Sequence, residues 1–187
     1  MPWGSHSYSI YTFHAVVLVT ITLLPSAAAA QGPPVLPRVR SENPLIAQLL
    51  ADAPAMSATF RDLVAAIDAT NGIVYVQSGI CGRGAKACLA HSLQLAGPHR
   101  ILRVLISTRR DRPGLIGAIG HELHHALEVL HDVNITTAQG MFFHFFGASM
   151  SMTNRFETNE AIDAGARIEN EVRTATGATR GQRQLGR

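Results

Sequence analysis

The sequence predicts an α+β domain. Helical apolar periodicity occurs towards both ends of the chain, and a β-rich stretch punctuated by turn residues lies between them. With 187 residues, 47% apolar and 16% charged, the chain is sized for one domain with a modest core. The expected arrangement is a small antiparallel sheet packed on one long helix, with a C-terminal helix closing the domain.

Residues 13–30 read FHAVVLVTITLLPSAAAA, an apolar run, a proline and then small residues. That is the layout of a secretory signal, with cleavage after Ala30 matching the small residues Ala28 and Ala30. The apolar part falls short of the ~20 residues a membrane helix needs, so no stable membrane insertion is expected after signal removal. No Lys or Arg precedes it, and an uncleaved N-terminal anchor is the competing reading. The chain divides into a signal peptide (1–30), a Pro-rich polar linker (31–44), a domain (45–174) and a disordered tail (175–187). A secreted or periplasmic location follows. In such a compartment Cys81 and Cys88, the two cysteines of the chain, are expected to form one disulfide. The net charge is +3, and several of the arginines lie in the tail. No basic stripe with interleaved aromatics is present, so nucleic acid is not an expected partner.

Within the domain, residues 44–51 carry Leu45, Ile46, Leu49 and Leu50 at helical spacing, and residues 57–70 carry Phe60, Leu63, Val64 and Ile67 likewise. Asn71-Gly72 ends the second of these helices. Residues 72–77, 88–95 and 100–108 read as strands, the last two joined by a turn at Gly97-Pro98 as an antiparallel hairpin. Residues 100–108 are the expected edge strand along which an extended peptide would align. A long helix starts after Asp111, with Pro113 in its first turn, and runs to about Leu130. Residues 137–146 hold Phe142, Phe143, Phe145 and Phe146 and read as a short helix whose phenylalanines belong to the core rather than to a docking patch. The last helix is expected over 157–173.

The long helix contains His121-Glu122-Leu123-His124-His125, which is H-E-x-x-H. Histidines at i and i+4 lie one turn apart on one helix face and can share a metal ion, with the intervening Glu placed as a general base. With His121 set at zero, His125 falls near 40° and Glu122 near 100°. Leu115, Ile119, Leu123, Ala126, Leu127 and Leu130 fall opposite, between about 120° and 240°. A solvated face would carry Lys and Glu instead of histidines. His124 reads as a rim residue.

The third ligand has three candidates. His131 completes HELHHALEVLH, but Glu128 stands where a helix-breaking glycine would let the chain turn back. If the helix continues, His131 lies about 9 Å beyond His125 along the axis. Glu157 and Glu160 are the alternatives on the last helix. A helical wheel puts Glu157 on the stripe of Ala161, Ala164, Gly165, Ile168 and Val172, and Glu160 on the polar side with Asp163 and Arg167. Small residues there permit close approach of another helix, and an inward carboxylate needs a partner such as a metal. Packing therefore favours Glu157.

HELHH followed by an acid on a later helix resembles the gluzincin branch of the zincin metallopeptidases. The spacing to His131 resembles the metzincin pattern HExxHxxGxxH without its glycine. NEAID resembles the third-ligand helix of thermolysin-like enzymes, which implies Glu160. The run from Gly72 to Val172 resembles small exported bacterial HExxH proteins, which implies Glu157 and a minimal zincin-like fold but no established substrate. The resemblance implies one Zn2+ per chain on His121, His125 and Glu157, Glu122 as catalytic base, and a peptide or protein substrate. No second substrate-binding lobe and no oxyanion-stabilising His or Tyr can be located. An inactive zincin-fold binding or inhibitor module that keeps zinc for structure is the rival expectation, and a zinc hydrolase acting on another amide is a third.

Overall fold

Residues that alternate along the sequence alternate in space. The computed structural model describes residue 1 and residues 36–82, 85–148 and 157–185. The signal-like segment and the first residues of the linker lie outside that range. In chain order the elements are β1 (Val39–Arg40), α1 (Pro44–Met56), α2 (Ala58–Asp68), β2 (Gly72–Ser78), β3 (Ala87–Leu89), β4 (Gln94–Ala96), β5 (His99–Ile106), α3 (Arg112–His131), α4 (Ala138–Ala148) and α5 (Asn159–Leu185). In β5 every second residue is buried, so Arg100, Leu102, Val104 and Ile106 share the core face. Val74 and Val76 of β2 sit beside Leu102 and Val104 on that face.

The sheet is mixed, which corrects the expectation of an antiparallel one. β1 pairs with β2 and β2 with β5 in parallel, while β3 and β4 pair antiparallel with successive parts of β5. The expected hairpin is present, with Ala96 opposite His99 and Gly97 at φ 57°. The parallel pairing has two causes. The segment after Ser78 crosses the end of β5, since both Ser78 and Ala87 pair with Ile106. In addition, part of the segment read as linker is structural. Val39 is buried, and the main-chain N–H of Arg38 donates to Asp68 Oδ1. The compact unit accordingly begins at Leu36. β5 has neighbours on both sides, so it is not an edge strand. The disulfide Cys81–Cys88 ties the crossover to β3.

The helices start where the side chains can cap them. Asn43 accepts from the N–H groups of Leu45 and Ile46, and Ser57 accepts from that of Phe60. α1 continues past Ala51 and through Pro54 to Met56. At the start of α2, Glu171 of α5 accepts hydrogen bonds from Ser57 Oγ (2.5 Å), Thr59 Oγ1 (2.8 Å) and the Thr59 N–H (3.2 Å). Asp111 precedes α3 as expected but makes no side-chain capping bond.

α3 is the centre of the core. Its apolar residues Leu115, Ile119, Leu123, Ala126 and Leu130 are buried as the wheel predicts. The opposite side is covered too, because α5 crosses it at close range. A Cβ at Gly165 would stand 2.9 Å from the His121 Cβ, and one at Gly120 would overlap Ile168 Cδ1. The small residues on α5 thus let the two backbones meet beside His121. α3 ends without a glycine. Instead the buried Arg100 collects its carbonyls, Nη1 donating to Val129 (3.1 Å), Asp132 (2.7 Å) and Ile135 (3.2 Å) and Nη2 to Leu130 (2.5 Å), while Nε donates to Asn71 Oδ1 (2.9 Å).

Two further expectations change. α5 runs on to Leu185, so most of the segment expected as a disordered tail is helical; it has no proline and is rich in residues that tolerate a helix. On α4 only Phe145 of the four phenylalanines is buried, with Met141 beside it; Phe142, Phe143 and Phe146 are 39%, 58% and 65% exposed. They spread over more of the helix than the face that meets the core. Among the described residues, no helix is long and apolar enough to cross a membrane.

Candidate metal centre

The H-E-x-x-H turn lies in the middle of α3, where an uninterrupted helix fixes the two imidazoles on one side. Their ring centroids are 4.8 Å apart. Glu157 meets them from the other chain segment. Its Oε2 lies 3.0 Å from His121 Nε2 and 3.8 Å from His125 Nε2. One donor atom from each of His121, His125 and Glu157 falls within 4.8 Å of the others, so the group could hold a metal ion. Four-coordinate ligands at bond lengths near 2.1 Å would stand roughly 3.4 Å apart, a value that the distances of 3.0 and 3.8 Å bracket.

The state of His125 supports that fit. The side chain is buried, its Nδ1 donates to Glu128 Oε2 at 2.8 Å, and its Nε2 has no hydrogen-bond partner. A buried polar atom left unpartnered costs about 1–3 kcal/mol. The same atom carries the lone pair a metal needs when Nδ1 holds the proton. Phe145 closes the apolar side, its ring edge-on to His125 at 5.2 Å.

Glu122 stands close enough to feel the charges of His121, His125 and Glu157, and turns one carboxylate oxygen to the sheet. Its Oε2 accepts the Leu89 N–H of β3 at 2.7 Å, and the residue is 7% exposed. Burial raises its pKa above the ordinary glutamate value, although His121, His125 and the Leu89 bond pull the other way. In the metal-free protein, burial works against charge on His125, but Glu128 and Glu157 outweigh it and raise its pKa to about 9. His121 Nε2 at 3.0 Å, and more distantly His125 Nε2 at 3.8 Å, hold Glu157 down at about 2. Burial would raise Glu128, but His124, His125 and Thr158 around it keep it far below the ordinary range.

Glu157 is not on the inward stripe of a helix. α5 begins at Asn159, with Thr158 as its cap, accepting the Ala161 N–H at its hydroxyl and the Ile162 N–H at its carbonyl. The wheel that selected Glu157 assumed a helix already under way. What brings Glu157 to the histidines is the close crossing of α3 and α5 and the capped turn that follows it. Glu160 is exposed in the first turn of α5, and His131 is exposed as the last residue of α3; neither belongs to the group. Residues 149–156, within the run that resembles exported HExxH proteins, lie outside the described residues.

Glu128, Thr158 and the Leu89 main chain escaped the sequence reading. Glu128 was legible in principle, since it stands at i+3 from His125 and i+4 from His124. The Leu89 contact depends on which strand lies beside α3, which no local pattern encodes. No protein-family model, curated protein or solved structure matches the chain.

Proposed function

We propose that the chain is an exported zinc metallopeptidase of minimal zincin-like architecture, with zinc on His121, His125 and Glu157 and Glu122 as general base. The convergence of two imidazoles and a carboxylate, with the buried His125 Nε2 left unpartnered, carries the reading. Two nitrogens and one oxygen form a borderline donor set that suits zinc and leaves a fourth position open. The disulfide supports an oxidising compartment and hence export.

Zinc held there supplies Lewis acidity, which brings the pKa of a water toward about 7 and polarises a carbonyl. Glu122 moves the proton. With Oε2 engaged by Leu89, Oε1 is the oxygen that takes a proton from the attacking water and returns it to the leaving amine. Burial makes Glu122 a stronger base than an exposed glutamate. A peptide substrate is supported by β3. The ladder contacts Lys86–Ser107 and Ala90–Arg103 put the main-chain groups of Ala87 and the carbonyl of Leu89 on the outer edge, while the Leu89 N–H is taken by Glu122. An extended peptide can pair there, the role first expected of β5.

The test is zinc content and peptide or casein cleavage in wild type and Glu122→Gln. Both should hold one zinc, and the variant should lose activity by about 10²–10⁴-fold. Metal-free wild type, or cleavage that survives a chelator, would sink the proposal. The exposed Phe142, Phe143 and Phe146 favour a second reading, a binding module that keeps zinc for structure. One zinc per chain without hydrolysis of any peptide would support it.

A further inference from the structure

The carboxylate of Glu128 touches both halves of the metal group without belonging to it. Oε2 accepts from His125 Nδ1 at 2.8 Å, and Oε1 accepts from Thr158 Oγ1 at 2.6 Å. The first contact fixes the tautomer. With the proton on Nδ1, the His125 lone pair is on Nε2, on the side where Glu157 stands. The second contact pins the start of α5. Thr158 is the cap of that helix and the immediate neighbour of Glu157, which precedes the first helical residue and has no helical bond of its own to hold it.

We propose that Glu128 is a positioning residue that couples the third ligand to the histidine pair: one carboxylate orients His125 on α3 and seats the turn that delivers Glu157. This rests on the metal reading above. It also gives a reason for a glutamate in this turn, since the glycine of HExxHxxGxxH would offer neither contact.

The test compares Zn2+ affinity, by chelator competition, and the Co2+ absorption spectrum in wild type, Glu128→Ala, Thr158→Val, Thr158→Ser and the double variant Glu128→Ala/Thr158→Val. Glu128→Ala should bind zinc about 10–100-fold more weakly and show an altered cobalt spectrum. Thr158→Val should weaken binding, and Thr158→Ser should restore it. The double variant should bind no worse than Glu128→Ala alone, because the hydroxyl acts through the carboxylate. If Thr158 matters only as a helix cap, the two losses multiply, and the coupling is overturned. Should Glu128→Ala not fold, Thr158→Val against Thr158→Ser decides, and equal affinity in those two overturns it. Wild type that binds neither metal overturns the metal reading and this role with it. Wild type that binds both while Glu128→Ala and Thr158→Val bind equally well overturns this role alone.

Discussion

Two buried polar groups meet α3, and they are treated in opposite ways. At its C-terminal end Arg100 is 2% exposed and donates to four carbonyls and one side-chain amide. In its middle His125 is 4% exposed, hydrogen-bonded at Nδ1 and without a hydrogen bond at Nε2, where Glu157 stands 3.8 Å away. A saturated buried group contributes to stability and specifies one packing. An unsaturated one is costly unless something else supplies the missing bond. The contrast separates what holds the fold from what could hold a metal ion, on a single helix.

The sharpest way to break the comparison is Arg100→Met. It strands several carbonyls at the end of α3, and the expected loss is about 4 kcal/mol, read from urea midpoints. A loss below ~1 kcal/mol would mean that water satisfies those carbonyls as well as the guanidinium does. Gly165→Ala comes next. Its new Cβ meets the His121 Cβ and the Gly117 carbonyl, and overpacking of that kind costs about 1–3 kcal/mol, partly offset by up to ~1 kcal/mol of helix propensity. Because the strain falls on His121, zinc affinity should drop along with the melting temperature; a drop in stability alone would show that the histidine does not shift.

His121→Ala should show the opposite balance. Its partner Glu157 is 42% exposed at the side chain, so the metal-free protein should change by less than about 1 kcal/mol. Zinc binding, and the rise in melting temperature that zinc produces in wild type, should disappear.

The smallest expected effect is a pH trend. For metal-free protein, the fold raises His125 from 6.5 to about 9 and lowers Glu157 from 4.5 to about 2. The His125 contribution is complete below pH 6.5 and is lost as pH rises through about 9. The Glu157 contribution is complete above pH 4.5 and is lost as pH falls through about 2. Melting of chelated protein should therefore fall between pH 6.5 and 9. Zinc affinity should rise over the same range, because the imidazole must shed its proton to bind. A chelated protein that melts higher at pH 9 than at 6.5 would contradict the hydrogen bonding assigned to His125.

How much of this was legible follows from where the information resides. The H-E-x-x-H turn and its apolar back are local, and a wheel suffices to place them. Glu157 was selected by extending a helix too far: the residue stands beside the histidines, but through the cap at Thr158 and the glycine crossing rather than through the stripe. The hairpin at Gly97-Pro98 is local and legible, but the parallel pairing of β2 with β5 depends on the chain between Ser78 and Ala87 passing the end of β5, which no local pattern encodes. Arg100 read as an ordinary strand residue. Only the stacking of β5 under the end of α3 turns it into a cap, and that is a long-range fact. The phenylalanines of α4 carry no periodicity that would tell a covered face from an open one.

Glu171 reaches from α5 to finish the start of α2, while Glu157, from the segment just before α5, joins the histidines of α3. Both carboxylates come from the chain after α4. Without residues 157–171 the start of α2 would lose its bonds to Glu171, and His121 and His125 would lose Glu157. One segment thus sets both the start of the second helix and the third donor of the candidate metal group, so a change that detaches it is felt in two places at once.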